Sequence, residues 1–108
     1  MISWEDFEKV EVRVGTVLEV KDFPEARKPA YQLRIDFGSF GVKNSSAQIT
    51  GWKKEALLGS QVIAATNFPP KKIAGFVSEC LVLGIVQDGK CISLLRPDRK
   101  VQNGLRIA

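Results

Sequence analysis

The stretch YQLRIDF, residues 31–37, carries the clearest structural signal in the chain. Apolar side chains occupy every second position, with Gln32, Arg34 and Asp36 between them. A period of two is that of a β-strand with one face in a core and the other toward water. We therefore expect a half-buried strand here.

The residues before this strand predict one long, bent strand preceded by a short helix. Valines alternate with charged residues over 10–14, and the pattern resumes at Val17 after Gly15. Glycine inside a strand suggests a bulge or a sharp bend. Nearer the N-terminus, Ser3 and Asp6 have the spacing of a helix capping box.

The residues after it predict the remaining strands and one helix. The third strand, around residues 40–43, leads into a polar block and then a short helix from about 52 to 58, which Gly59 ends. Further strands are expected at 61–67, about 80–86 and about 90–95, and the last two flank Asp88-Gly89, a dipeptide typical of tight hairpins.

This order of elements predicts an all-β fold. Roughly five strands, a bent first strand and a helix between the third and fourth match the OB-fold, a five-stranded Greek-key barrel. The chain of 108 residues is long enough for one core. We expect a single domain over residues 1–108, with short helices and N- and C-terminal extensions.

The composition disfavours most catalytic chemistry. The chain has no histidine and two cysteines, which excludes a Ser-His-Asp triad, a Cys-His dyad and an imidazole acid or base. Two cysteines alone leave a tetrahedral zinc site incomplete. We expect no enzyme activity, no metal and no other cofactor.

The cysteines and the N-terminus predict a cytoplasmic setting. Cys80 and Cys91 lie in apolar segments, where a thiol acts as a small buried hydrophobe, and nothing demands a disulfide. The N-terminus is acidic, unlike a signal peptide, and no stretch approaches the length of a membrane span. We therefore expect no membrane insertion.

The net charge of +4 conceals an uneven distribution. Residues 1–22 carry three basic and six acidic side chains, whereas residues 23–108 carry a net charge of +7. The cations of this second segment include pairs at 27–28, 53–54, 71–72 and 99–100. Either they converge on a face that binds a polyanion, or they are solvated surface charges.

Residues 67–79, NFPPKKIAGFVSE, combine prolines, lysines and phenylalanines between two predicted strands. We expect a stiff, basic loop. Lysines can contact phosphates and aromatic rings can stack on bases, which suits RNA. Aromatic rings, prolines and amides also hold extended peptides. Composition favours Phe68 and Phe76 as core side chains over stacking platforms.

The same run resembles the signature of the tRNA-binding domain family, and residues 11–17, EVRVGTV, resemble that family's opening strand. Three further blocks, at residues 23–29, 43–50 and 78–84, resemble its CsaA branch. Broader members of the family have Ser-x-Gly-Met where this chain has Ser-Glu-Cys-Leu at 78–81, a departure that counts against direct transfer of tRNA binding.

The resemblance implies a homodimeric, non-enzymatic OB-fold protein. CsaA-type proteins are export-related chaperones that bind precursor or unfolded polypeptides and the translocation motor SecA. Binding of tRNA, for which the whole family is named, is the alternative function. The resemblance places the ligand surface, for peptide or tRNA, on Ser45, Ser46, Gln48, Asn67, Lys71, Lys72, Phe76 and Ser78. For Asn67 and the pair Ser45-Ser46, structural closure of loops is the other possibility.

Apolar residues toward both ends of the sequence give the dimer a separate rationale. They exceed what a five-stranded barrel has to bury, so they could form a two-fold interface. The alternative is that they cap the ends of the barrel. The residues concerned are Trp4, Phe7, Val101, Leu105 and Ile107.

Overall fold

The computed structural model describes all residues, 1–108. It contains helices α1 (Trp4–Glu8) and α2 (Lys54–Leu57) and a 3₁₀ turn at Gly38–Phe40. The nine strands are β1 (Val12–Asp22), β2 (Tyr31–Asp36), β3 (Val42–Ala47), β4 (Gln61–Ala65), β5 (Lys71–Ile73), β6 (Phe76–Ser78), β7 (Leu81–Val82), β8 (Gly84–Gln87) and β9 (Lys90–Leu94).

Five strands form one antiparallel sheet in the order β3-β2-β1-β4-β7, and the pairs β5-β6 and β8-β9 form separate hairpins. The sheet curls into a nearly closed barrel because residues 78–80 run beside the free edge of β3. At this seam the N–H of Glu79 donates to the carbonyl of Asn44 over 2.8 Å. The expected five-stranded OB-fold barrel with short helices is confirmed.

Every second residue of 31–37 lies in the core, as the period of two predicts. Leu33, Ile35 and Phe37 are at most 1% exposed, and they share the core cluster with Leu57 of α2 and Val62 of β4. Burial of each such side chain stabilises the fold by roughly 1.5–3 kcal/mol. Leu57 is the single buried residue of α2, so it holds this short helix on the barrel.

Residues 101–107 cover the first half of β1 on the edge opposite β4. The N–H of Gly104 donates to the carbonyl of Val14, and the N–H of Ile107 donates to that of Val12, both over 2.8 Å. The late segment thus acts as a further strand partner for β1 where β2 does not reach.

The side chain of Arg13 fastens this segment. Its guanidinium donates to the carbonyl of Gly104 over 2.9 Å, pairs with Glu11 at 3.1 Å and lies 3.5 Å from the centroid of the Phe40 ring. A charged donor on a backbone carbonyl is one of the stronger hydrogen bonds in proteins.

The expectation that Gly15 bends β1 is wrong in its position. The pairing of β1 with β2 shifts register between Val17 and Glu19, so the irregularity lies at Leu18. Glycine is needed at residue 15 for space, because a Cβ there would lie 2.6 Å from Cγ2 of Ile35. Close packing, not curvature, accounts for this glycine.

Three other expectations differ from the structure. The single strand expected at about 80–86 is divided into β7 of the barrel and β8 of a separate hairpin. β3 includes most of the polar block, because residues 42–47 pair with β2 along their whole length. Residues 67–79 hold the unexpected hairpin β5-β6, whose turn places Ala74 at φ 46° and Gly75 at φ 85°. The turn predicted at Asp88-Gly89 is confirmed, with φ 52° and 77°.

Both cysteines are free thiols, with Cys80 buried and Cys91 half-buried. The expected α1 is confirmed together with its capping box, in which Ser3 and Asp6 each bond the other's backbone N–H. Neither α1 nor α2 has the length and apolar character of a membrane-spanning helix.

Candidate functional site

A groove of about 840 Å³ lies beside the seam of the barrel. One wall is formed by residues 46–51, at and beyond the end of β3. The other is formed by residues 81–84 of β7 and β8 and by Val86 with 88–91 of the β8-β9 hairpin. The groove therefore lies where β3 ends, at Ala47.

The groove combines an apolar lining with free backbone groups and cations. Leu81 and Val86 are 50% and 64% exposed. Gln48 follows β3 on the opposite wall, is exposed, and makes no hydrogen bond within the chain through its backbone or its side chain. Lys28 and Lys90 also line the groove and lack carboxylate partners within 4.0 Å. An extended chain could bond to this edge while its side chains meet apolar surface.

The three serines expected in the ligand surface close the seam. The buried Ser45 donates its hydroxyl to the carbonyl of Cys80 over 2.9 Å. The N–H of Ser46 donates to Oγ of Ser78 over 3.0 Å. The side chains of Ser45 and Ser78 are therefore occupied within the barrel, while Ser46 also lines the groove.

Asn67 joins two distant parts of the chain. Its Oδ1 accepts from the N–H of Glu11 over 2.8 Å, and its Nδ2 donates to the carbonyl of Lys9 over 2.6 Å. Both ends of the amide therefore fix the connection between α1 and β1. Asn67 closes a loop, which was the structural alternative to ligand binding for this residue.

The remaining expected site residues lie on the β5-β6 hairpin, outside the groove lining. Lys71 and Lys72 are exposed and have no carboxylate within 4.0 Å. Lys71 stands opposite Ser78, one strand away from β3. Phe76 is half-buried, with its ring 5.5 Å from that of Phe23 in an edge contact. Such a ring is held by packing, whereas the two lysines are free to meet a ligand.

Sequence reasoning missed most of the groove. The sequence pattern places Leu81 and Val86 in strands, and an apolar residue in a strand is ordinarily counted toward the core. It identifies Lys28 as a member of a basic pair but does not indicate where that pair lies in the fold. The usable signal is the block at 43–50, which the resemblance singles out and whose residues 46–50 form most of one wall.

The thiol of Cys80 is unsuited to nucleophilic chemistry. Burial raises its pKa to about 11, and only a hydrogen bond with Ser45 and the charge of Lys43 oppose this effect. The thiol is therefore neutral at pH 7. No cluster of three or more cysteine, aspartate or glutamate side chains could hold a metal ion.

The apolar residues toward the two ends divide into two groups. Val101 and Ile107 pack against the small cluster of Val12, Val14 and Ile63, as capping of the barrel requires. The other three remain at the surface, with exposed fractions of 87% for Trp4, 40% for Phe7 and 50% for Leu105.

Most of the chain matches one protein family. Residues 12–106 match the family described as "Putative tRNA binding domain". The chain belongs to the tRNA-binding domain family. The match begins at β1 and ends within the segment that pairs with it, so it covers the whole barrel of this tRNA-binding domain.

Two solved structures resemble this tRNA-binding domain over its full length. The CsaA chaperone protein from Picrophilus torridus is 52% identical with a TM-score of 0.94, and 100% of each chain is covered. The chaperone CsaA from Bacillus anthracis strain Ames is 49% identical with a TM-score of 0.93, over 100% of this chain and 99% of the other.

Curated sequence relatives place a similar domain in larger enzymes. The methionine–tRNA ligase of Pyrococcus horikoshii is 37% identical over 98% of this chain, which spans 14% of that enzyme. The methionine–tRNA ligase of Bacteroides fragilis strain ATCC 25285 is 35% identical over 98% of this chain, which spans 16% of that enzyme. The chain thus spans about a seventh of the length of the curated relatives it matches.

Proposed function

We propose that this protein is a non-enzymatic, CsaA-type chaperone that holds unfolded or precursor polypeptides destined for export. The observation that carries the proposal is the groove, in which exposed Leu81 and Val86 face the unpaired backbone of Gln48. Full-length similarity to two CsaA chaperones supports it.

The proposed binding mode is the addition of an extended segment beside Gln48. The N–H and carbonyl of that residue bond the backbone of the client, which is independent of client sequence. Alternate client side chains meet Leu81 and Val86, and acidic ones meet Lys28 or Lys90. A shallow surface of this kind favours weak, exchangeable binding, which suits a protein that releases its clients.

The other parts of the proposal concern assembly and partners. Two copies pair through the exposed apolar residues Trp4, Phe7 and Leu105, which brings two grooves into one frame and raises avidity for a long client. The partners are then a second copy of this chain, precursor proteins and a SecA-like translocation motor. Clients are met before export, so the proposal places the protein in the cytoplasm.

A matched pair of leucine variants tests the groove. Leu81 lines it and is 50% exposed, whereas Leu58 lies elsewhere and is 55% exposed. We expect Leu81→Ser to weaken binding of a fluorescent precursor peptide about tenfold, the equivalent of one partly buried leucine, while Leu58→Ser leaves it unchanged. Suppression of aggregation of an unfolded client should follow the same order. Equal effects of the two variants would exclude the groove as the peptide site.

Binding of tRNA is the second candidate, and one observation favours it. Lys71 and Lys72 are exposed, adjacent and free of ion pairs on the β5-β6 hairpin. Filter binding of tRNA over a salt series should show affinity falling by about one decade per decade of salt for each neutralised phosphate. A flat salt response would remove this candidate.

A competition separates the two functions. We expect Lys71→Ala with Lys72→Ala to abolish tRNA binding and to leave peptide binding intact, with Lys21→Ala and Lys53→Ala as a control of equal charge. Displacement of bound peptide by tRNA would instead mean that both ligands use one surface.

A further inference from the structure

A second concave surface has a different lining from that of the groove. It is a cleft of about 560 Å³ between the turn at residues 59–61, the middle of β1, the end of β2, and residues 96–103. None of its lining residues is hydrophobic, and none of them lines the groove. Three of them, Arg96, Arg99 and Lys100, are cations that lie within five residues of one another.

The floor of the cleft is a closed polar network. Thr16 donates to Oδ1 of Asn103 over 2.8 Å, and Gln61 donates to the same oxygen over 3.0 Å. The amide of Asn103 reaches Oδ2 of Asp36 at 3.5 Å, and the N–H of Gly38 donates to Oδ1 of Asp36 over 2.8 Å. The one carboxylate in the lining is thus directed at partners in the floor.

The loop that carries the cations is fixed at both ends. The N–H of Leu95 donates to the carbonyl of Leu83 over 3.3 Å. Gln61 clamps the peptide groups on both sides of Val101, accepting from its N–H over 3.1 Å and donating to its carbonyl over 2.7 Å. The cations are therefore presented from an anchored loop, which lowers the entropy lost when a ligand binds.

These cations lack strong internal partners. Arg96 and Lys100 have no carboxylate within 4.0 Å, and Arg99 pairs only with its neighbour Asp98. That pair is bidentate, with both N–O distances 3.2 Å, but both side chains are about four-fifths exposed, and water screens so exposed a pair. The cleft therefore presents positive charge that is free to bind an external anion.

We propose that this cleft binds a phosphate group. Arginine presents a planar fork that matches phosphate oxygens, and lysine adds a compact point charge. No aromatic side chain lines the cleft, so it offers no stacking platform for a nucleobase, and recognition is of phosphate and adjoining hydroxyls and is independent of base sequence. The phosphate belongs either to an RNA backbone or to a small phosphate compound.

The test is a titration followed by NMR, with the side-chain amides of Gln61 and Asn103 as reporters in the floor. The two probes are inorganic pyrophosphate and a mixed-sequence single-stranded RNA about 12 nucleotides long. We expect at least one probe to shift both amides. Arg96→Ala with Lys100→Ala should weaken that probe about tenfold or more, and for RNA it should reduce the salt slope by about 1.4.

A control variant of equal charge and residue type makes the result specific. Arg27→Ala with Lys53→Ala removes one arginine and one lysine that are exposed and outside the cleft. RNA binding without pyrophosphate binding identifies the source as a nucleic-acid backbone, and pyrophosphate binding at similar affinity identifies a small phosphate compound. Unshifted amides with both probes, or equal weakening by the control, would overturn the proposal. Peptide binding by the Arg96 and Lys100 variant should be unchanged, so this result is independent of the chaperone proposal.

Discussion

β2 and β8 are both short strands with two aliphatic residues each, but these side chains are buried in β2 and exposed in β8. In β2, Leu33 and Ile35 are 1% and 0% exposed, whereas in β8, Ile85 and Val86 are 52% and 64% exposed. β2 lies between β1 and β3, while β8 pairs with β9 alone. The central strand of the curled sheet thus buries its aliphatic side chains, whereas those of the β8-β9 hairpin remain available for ligands.

The largest expected effect comes from equal truncations in the two strands. Ile35→Ala should lower the free energy of unfolding by about 2–5 kcal/mol, because it removes fully buried volume from the core. Ile85→Ala should lower it by less than about 1 kcal/mol. Urea denaturation of the two variants measures the difference. Equal losses would mean that β8 is buried in solution, through a second copy or a rearranged hairpin.

The contrast between these strands also marks how far the sequence could predict the fold. The period of residues 31–37 and the Asp88-Gly89 turn were sufficient for β2 and the last hairpin, because both depend on neighbours along the chain. The seam could not be predicted in this way, since Ser45 meets Cys80 across 35 residues through a single hydroxyl. A side-chain hydrogen bond of that kind produces no periodic pattern in the sequence.

The candidate site was only partly predictable for a related reason. Ser46 and Gln48 were expected and do line the groove, but Asn67 is used inside the fold. A polar residue in a motif has the same appearance in sequence whether it faces a ligand or a backbone amide. The structure separates the two cases by showing where each hydrogen bond goes.

The side-chain amides of Asn67 and Gln48 are both exposed, but only that of Asn67 has partners within the fold. Asn67→Ala should lower the free energy of unfolding by about 1–2 kcal/mol, because two hydrogen bonds to Lys9 and Glu11 are lost. Gln48→Ala should change it by less than about 0.5 kcal/mol, since Gln48 has no partner in the chain. Thermal or urea unfolding distinguishes them, and a neutral Asn67→Ala would contradict the structural role.

The smallest expected effect concerns Cys80, at the boundary between the core and the outer hairpins. Its pKa rises from 9.0 to about 11 on folding, so the folded state favours the neutral thiol. This contribution to stability is complete below pH 9 and is lost as the pH rises toward 11. Between pH 8 and pH 10 we expect a loss of about 1 kcal/mol.

The control for this pH dependence is the substitution of each cysteine in turn. In Cys80→Ala, the free energy of unfolding should fall less between pH 8 and pH 10 than in the wild type. In Cys91→Ala it should fall as much as in the wild type. In urea denaturation at the two pH values, identical pH dependence in wild type and Cys80→Ala would show that the thiol is not buried as described.

The pairing of residues 104–107 with residues 12–14 also bears on how the chain folds. These contacts join positions about ninety residues apart, and contacts of such long sequence separation make folding slow, on the millisecond to second scale typical of β-barrels. During synthesis, one edge of the first strand stays uncovered until residue 107 has emerged. Until then the nascent chain exposes an open strand edge, which is prone to pair with other chains.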